Sequence, residues 1–181
     1  MNLHPEILLH PGVPKPLHGL APRVVLGKAW WDKERAEAYK LHDYHCFACG
    51  CHQDEAIFRE GMLEAHEFYT IDYKAKRVTY HEAVALCHAC HGYIHSGRLT
   101  AMAEKGEVSE SKWLAVIEHG DAQLASIGES PKLAPTLHRV EDDHDWPDWR
   151  LVVFGKEYGP AFKTFVEWDM EFNGLPRNRK K

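Results

Sequence analysis

The chain has 181 residues, of which 44% are hydrophobic and 27% charged, and its formal net charge is −5. This length and composition are typical of a soluble globular protein with a buried core, and the acidic balance argues against indiscriminate binding to nucleic acid. The sequence has no apolar run of about 18 residues, and prolines interrupt its N-terminal segment, so we expect neither a membrane span nor a signal peptide but a cytoplasmic protein.

The first 27 residues are predicted to form a proline-rich arm that is extended over the surface or partly disordered, because five of the ten prolines lie in residues 1–22. The segment from Lys28 to His42 lacks Gly and Pro and is rich in Ala, Glu and Lys, which predicts a helix. A turn with Gly50 at its end follows and carries the first pair of cysteines.

The next segment, residues 63–87, is rich in β-branched and aromatic residues around a polar Lys74–Arg77 centre, which predicts two strands and a hairpin. A helix is expected from near His88, and a second helical stretch from Thr100 to Ile127 contains Ser109 as an N-cap.

The composition of the sequence changes at residues 129–138, which indicates a boundary between two parts of the chain. We predict one domain with flanking helices over residues 28–128, which contains all five cysteines, four of them in two closely spaced pairs, and a small α+β addition over residues 129–174, with a strand at WRLVVF and a helix beginning at Pro160. Residues 175–181 are predicted to form a disordered basic tail.

Two CxxC pairs are the most specific motif of the chain. Each two-residue gap lets both thiolates of a pair reach one tetrahedral ion, and in a reducing compartment such pairs are metal ligands more often than disulfides. The ligands of this predicted zinc site are Cys46, Cys49, Cys87 and Cys90. The fifth cysteine, Cys51, is either a substitute ligand or a small packed side chain with a free thiol. The second pair is followed at once by His91 and His95, whose four-residue spacing places both on one face of a helix.

These motifs together resemble the zinc-containing HNH endonucleases. The resemblance covers residues 44–98, from the first CxxC through Leu63-Glu64-Ala65-His66-Glu67 and the hairpin to the second CxxC with its two histidines. It implies an α+β fold with a zinc-stabilised ββα-metal core, similar to a treble clef. The rest of the chain resembles hypothetical HNH proteins of phages and bacteria.

The resemblance also implies two metal sites. The four cysteines would bind a structural zinc, which fastens the hairpin to the helix. His66, His91 and His95 occupy the places of three histidines that hold a catalytic divalent ion, which could be Mg²⁺, Mn²⁺, Ni²⁺ or Zn²⁺. Three imidazoles with open coordination places leave room for a phosphate oxygen and a water molecule.

The chain departs from the family motif at three positions. If His66 is a metal ligand, Glu67 fills the place of the base histidine; if His66 is the base, the ligand place before it is Ala65, which binds no ion. Glu82 stands near the place of the motif's asparagine, preceded by His81. Glu67 or His81 would then accept the proton of the attacking water, and Glu82 would orient His66 or His81.

The basic residues of this region are candidates for contacts with nucleic acid. Lys74, Lys76 and Arg77 cluster between the cysteine pairs, and Arg98 follows His95 closely. The sequence therefore predicts a metal-dependent HNH-like endonuclease, a hydrolase of phosphodiester bonds whose substrate is expected to be DNA. The alternative is a catalytically inactive zinc-finger module that binds nucleic acid or a protein partner, as a regulator or inhibitor would.

Overall fold

A computed structural model describes residues 2–58, 61–131 and 143–172 of the chain, without the side chains of residues 143 and 144. These residues form an α+β protein with a four-stranded sheet and six α-helices, which confirms the predicted fold class at this level. The strands are β1 (Glu64–Asp72), β2 (Arg77–Leu86), β3 (Arg150–Val153) and β4 (Lys156–Tyr158). The helices are α1 (Pro22–Leu26), α2 (Lys28–Leu41), α3 (His88–Ile94), α4 (Ser96–Glu104), α5 (Glu110–Ser126) and α6 (Phe165–Phe172).

The predicted hairpin and the helices that flank it are present. Strands β1 and β2 are neighbours in the sheet, and the four residues between them include Lys76 in the left-handed region, with φ of 56°. The Asp72 carboxylate stabilises this turn by accepting a hydrogen bond of 2.8 Å from the backbone N–H of Ala75. Cys87 is the single residue between the end of β2 and the start of α3, so that the hairpin leads directly into the helix that carries His91.

The sheet has the order β1-β2-β3-β4, with β3 parallel to β2 and antiparallel to β4. Val153 pairs with Lys156, so the connection between β3 and β4 is the two-residue loop Phe154–Gly155. Both loop residues have positive φ, 49° and 76°, which is the geometry of a type I′ turn and suits the right-handed twist of the strands.

The described residues fall into two compact units. The first contains residues 2–12, 29–58, 61–68 and 82–131, and the second contains residues 13–28, 69–81 and 143–172. The predicted boundaries at residues 28, 129 and 175 stay predictions, and the predicted tail lies outside the described residues.

The N-terminal segment is more structured than an extended arm. Residues Pro5–Leu9 form a 3-10 helix whose Leu8 is fully buried in the core of the first unit, where the segment packs against α3 and α5. Leu17 is likewise fully buried, on a second 3-10 turn, Lys15–Leu17. The prolines restrict the backbone without preventing burial, because prolines near the start of each turn lack only N–H groups that would have no intrahelical partner.

Two predicted helices differ in their limits. The stretch from Thr100 to Ile127 is divided into α4 and α5, because Gly106 adopts a φ of +72° that a continuous helix cannot contain. Ser109 is the N-cap of α5, as predicted, and its side chain accepts a hydrogen bond from Lys112 N–H. Helix α6 begins at Phe165 rather than at Pro160, since Thr164 Oγ1 caps it by accepting from Glu167 N–H at 3.2 Å. No helix within the described ranges has the length and apolarity needed to cross a membrane.

Candidate metal centre

Local backbone geometry brings the two cysteine pairs together in the first unit. The Cys46–Cys49 turn closes with a hydrogen bond of 2.8 Å from Gly50 N–H to Cys46 O, and Gly50 has a φ of +75°. The N–H of Phe47, in the same turn, donates to Ala85 O at 2.8 Å, which holds the turn against the end of β2. The second pair begins at Cys87, the N-cap of α3, whose Sγ accepts a hydrogen bond from Cys90 N–H.

The four sulfur atoms of the two cysteine pairs lie close enough together for one ion to contact all of them. Bonds of about 2.3 Å from zinc to sulfur place the sulfur atoms of a tetrahedron about 3.8 Å apart. Cys49 Sγ and Cys87 Sγ are 3.8 Å apart, and one ligand atom from each of the four cysteines lies within 4.8 Å of the others. Cys46, Cys87 and Cys90 are fully buried. The cluster of four cysteines could therefore hold a metal ion such as zinc.

The sulfur atoms do not ionise independently. Hydrogen bonding with Cys46 lowers the pKa of Cys49 and raises the pKa of Cys90, because neighbouring thiols share a small number of protons. His119 on α5 adds a contact of 3.3 Å from its Nε2 to Cys90 Sγ. Cys51 Sγ lies 3.5 Å from Cys49 Sγ but does not belong to the group of four.

The structure also brings together the three histidines that the sequence singled out. His66 is buried on β1, His91 is half-buried on α3, and His95 is the exposed C-cap of α3. Their ring centroids are 4.8 to 5.5 Å apart, and one nitrogen atom from each lies within 4.8 Å of the others. A group of three neutral imidazoles at this spacing could hold a divalent ion, and three ligands leave coordination places open.

Glu64 supports this cluster from the same face of β1. Residues 64 and 66 are two apart on a strand and therefore point to one side of the sheet. The Glu64 carboxylate lies 2.5 Å from His91 Nδ1 and 3.0 Å from His88 Nδ1. The hydrogen bond with His91 is the main cause that holds the pKa of Glu64 well below its usual range. A carboxylate in this position fixes the orientation and tautomer of His91, so that Nε2 is the nitrogen that can bind an ion.

Like Glu64, His10 contacts one of the three histidines without having been predicted from the sequence to do so. Its Nδ1 lies 3.0 Å from His66 Nε2, and both imidazoles are buried, with 6% and 5% of their surface exposed. His10 comes from the N-terminal segment, 56 residues before His66. No short-range spacing could have predicted this contact. Glu64, by contrast, had a usable signal in its i, i+2 relation to His66 on a predicted strand.

The other predicted catalytic residues lie in different surroundings. Glu67 follows His66 directly on β1, and since consecutive strand residues point to opposite faces, it lies on the face away from Glu64 and His66. His81 belongs to the second unit, where its Nε2 is 3.0 Å from Thr70 Oγ1. Glu82 lines a groove beside α2. Burial lowers the pKa of the neighbouring His42, and the negative charge of Glu82 offsets part of this lowering.

Two of the four predicted nucleic-acid contacts are already ion-paired. In the second unit Lys76 Nζ lies 2.7 Å from Asp145 Oδ1 and 3.0 Å from Asp148 Oδ2, and Arg77 Nε lies 3.0 Å from Glu157 Oε1. The other two predicted contacts, Lys74 in the turn and Arg98 on α4, are exposed. The Lys76 and Arg77 side chains are half-buried, whereas their acidic partners are exposed. Ion pairs at a protein surface contribute little to stability, so a phosphate group could displace these partners.

In comparisons with known proteins, no protein-family model, no curated protein and no solved structure matched this chain.

Proposed function

We propose that this protein is a metal-dependent HNH-like endonuclease that hydrolyses phosphodiester bonds, with DNA as the expected substrate. The observation that carries the proposal is the cluster of His66, His91 and His95, which come from a strand and a helix. The same helix carries Cys90 of the four-cysteine cluster, directly before His91. The three histidines and the second cysteine pair lie on or beside a segment with the order strand, turn, strand, helix, which is the order expected of a ββα-metal core, and the first cysteine pair precedes it. A purely structural zinc knuckle would need only the cysteines.

The chemistry of the two ligand sets supports different tasks. Four thiolates close the coordination sphere of zinc and suit a structural ion, whereas three imidazoles leave places open for substrate and water. A divalent ion at the histidines would supply Lewis-acid stabilisation of the phosphate and a water molecule of lowered pKa. His66, His91 and His95 bind, Glu64 holds His91 in position, and the half-exposed edge of the cluster at His95 gives a substrate access.

The positions of Glu67 and His81 bear on which residue accepts the proton of the attacking water. Strand alternation places Glu67 on the opposite face from His66, which argues against Glu67 as the proton acceptor. His81 stays a prediction for this role, as does Glu82 for orienting His66 or His81. A standard HNH site has a histidine beside its metal ligand, so we expect slower or more selective cleavage here.

A specific observation favours the alternative of an inactive zinc-finger module. The acidic partners of Lys76 and Arg77 reduce the positive charge at the hairpin tip, and phosphate contacts need that charge. A module of this kind would keep the four-cysteine zinc and bind nucleic acid or a protein partner without cleavage.

Metal counting combined with a cleavage assay separates the two functions. We expect one zinc ion on the cysteines, a second divalent ion on the histidines, and nicking of plasmid DNA with Mg²⁺, Mn²⁺, Ni²⁺ or Zn²⁺. His91→Ala should lower the nicking rate by about 100-fold or more, because the ion contributes several kcal/mol to transition-state stabilisation. His88→Ala is the matched control, since His88 lies on the same helix and contacts the same carboxylate but stands outside the ion-binding group. One bound zinc and no cleavage with any of the metals would exclude the nuclease and favour the module.

A further inference from the structure

His10 and His66 are the two buried polar or charged residues in the part of the chain that the structure describes. Burial of an imidazole costs free energy unless its N–H and its lone pair find partners. The 3.0 Å contact between His10 Nδ1 and His66 Nε2 supplies one such partner to each ring, and the rings meet at 84° with centroids 5.0 Å apart. A pair of histidines buried in this way therefore has a defined arrangement.

The N-terminal 3-10 helix holds His10 in place. His10 is the C-cap of this helix, and its backbone N–H donates to Ile7 O at 2.8 Å. Ile7 and Leu8 are buried in the core of the first unit, where the 3-10 helix packs against α3, the helix that carries His91. The ring of Phe68 also contacts that of His10, with the two ring centroids 5.6 Å apart. The position of the His10 ring is thus determined by the docked N-terminal segment.

The direction of the hydrogen bond decides what His66 can do. A neutral imidazole carries one proton, so one of the two nitrogens must donate and the other must accept. If His66 Nε2 donates to His10 Nδ1, the lone pair of His66 is on Nδ1, which can then bind a cation. If His10 donates instead, the proton of His66 is on Nδ1, and that nitrogen cannot be a ligand.

We propose that His10 is a positioning residue of the ion site: its Nδ1 accepts the proton of His66 Nε2, so that His66 presents Nδ1 to a divalent cation. His10 does not belong to the group of three whose nitrogen atoms lie within 4.8 Å of one another, so it acts behind His66 rather than on the ion. Glu64 does the same for His91, by engaging Nδ1 and leaving Nε2 to the ion. The inference rests on the ion-binding part of the proposed function and does not require cleavage.

The test uses the full chain with zinc on the four cysteines and Co²⁺ as the probe, titrated by calorimetry. His10→Ala should weaken Co²⁺ binding by about 10–100-fold, as loss of a partner behind a metal ligand typically does. His10→Asn should restore most of the affinity, because its side-chain oxygen lies near the place of Nδ1 and accepts a hydrogen bond. His4→Ala is the control for the N-terminal segment, since the His4 ring stacks on Phe47 at 4.4 Å, outside the ion-binding group.

A second readout does not depend on binding or cleavage. Nitrogen-15 NMR of the zinc-loaded protein before addition of Co²⁺ should show the His66 proton on Nε2, and the His10→Ala variant should lose this preference. A His66 proton on Nδ1, or equal Co²⁺ affinity in His10→Ala and the wild type, would overturn the inference. So would a His10→Asn variant as weak as His10→Ala.

The two proposals fail in different ways. Absence of plasmid cleavage together with the expected Co²⁺ and NMR results would overturn the nuclease and leave the role of His10 intact. Cleavage that is lost in His91→Ala but unchanged in His10→Ala, with equal Co²⁺ affinity, would overturn the role of His10 alone. A wild-type protein that binds no Co²⁺ beyond its zinc would overturn both.

Discussion

Substitution of Gly120 by alanine should destabilise the protein through a clash between two packed helices. Gly120 lies in the buried part of α5, where an added Cβ would come within 2.0 to 2.4 Å of three ring atoms of Tyr93 on α3. The Tyr93 ring is 1% exposed, and its hydroxyl donates to Asp121 Oδ1 at 2.6 Å. Neither end of the ring can move easily, so the helices must separate.

The expected magnitude follows from two opposed effects. Overpacking of a well-packed interior costs about 1–3 kcal/mol, whereas Gly→Ala inside a helix returns about 1 kcal/mol of helix propensity. The clash involves Cγ and Cδ2 of the ring rather than the tip of a flexible chain, which places the overpacking cost near its upper limit. We expect a net loss of about 2 kcal/mol in the free energy of unfolding, and a loss of about 4–8 °C in Tm.

The assay is urea unfolding at fixed zinc concentration, because zinc binding itself stabilises the folded state. Gly92→Ala is the matched control: it lies on α3, and its added Cβ would meet Val116 Cγ1 at an ordinary 3.4 Å. Gly92→Ala should therefore keep or slightly raise the stability. If Gly120→Ala proved as stable as Gly92→Ala, the close approach of α3 and α5 would be refuted.

Three further predictions concern the ion sites and the pH dependence of stability. Glu64→Ala should weaken divalent-ion binding at the histidines by about 10–100-fold in calorimetry, whereas Glu67→Ala, on the opposite face of β1, should not; equal losses would contradict the strand geometry. Cys51→Ser should keep one zinc per chain in a metal assay, because Cys51 stands outside the group of four cysteines, and loss of zinc would make Cys51 a ligand. Burial lowers the pKa of His18 in the folded protein below 6.5, so as the pH falls the His18 imidazole is protonated in the unfolded chain before it is protonated in the folded chain. The contribution of His18 to stability is therefore complete above about pH 6.5 and declines as the pH falls through the folded pKa. The loss of stability between pH 7 and pH 5 should be smaller in His18→Gln, and the NMR signal of the Trp168 indole N–H, which donates to His18 Nδ1, should change over that range only in the wild type.

Much of the candidate site could be predicted because its signals are local. The CxxC spacing, the four residues between His91 and His95, and the hairpin around Lys74–Arg77 all act over a few residues, where strand and helix periodicity decides which side chains meet. The same periodicity places Glu64 on the same face as His66, although Glu82 was the residue predicted to orient His66 or His81. Strand alternation would also have placed Glu67 on the opposite face.

The N-terminal segment shows where local reasoning fails. Its prolines favour an extended arm, yet Leu8 is fully buried and His10 reaches His66 across 56 residues. Burial of apolar surface can outweigh a local preference of the backbone, and no pattern within the segment indicates its partner. The start of α6, by contrast, could have been predicted from the sequence, since Thr164 and Glu167 have the spacing of a capping box.

The sequence by itself determined the α+β class, the hairpin followed by a helix, and the two sets of side chains that could hold a metal ion, because these depend on the backbone periodicity of short segments. The tertiary structure alone decided that the sulfur atoms of Cys49 and Cys87 meet at 3.8 Å, that Glu64 contacts His91 and His10 contacts His66, and that Lys76 forms ion pairs with acidic partners. These contacts join segments that are distant in the chain. Long-range packing brings such segments together, and it depends on the whole core rather than on any one motif.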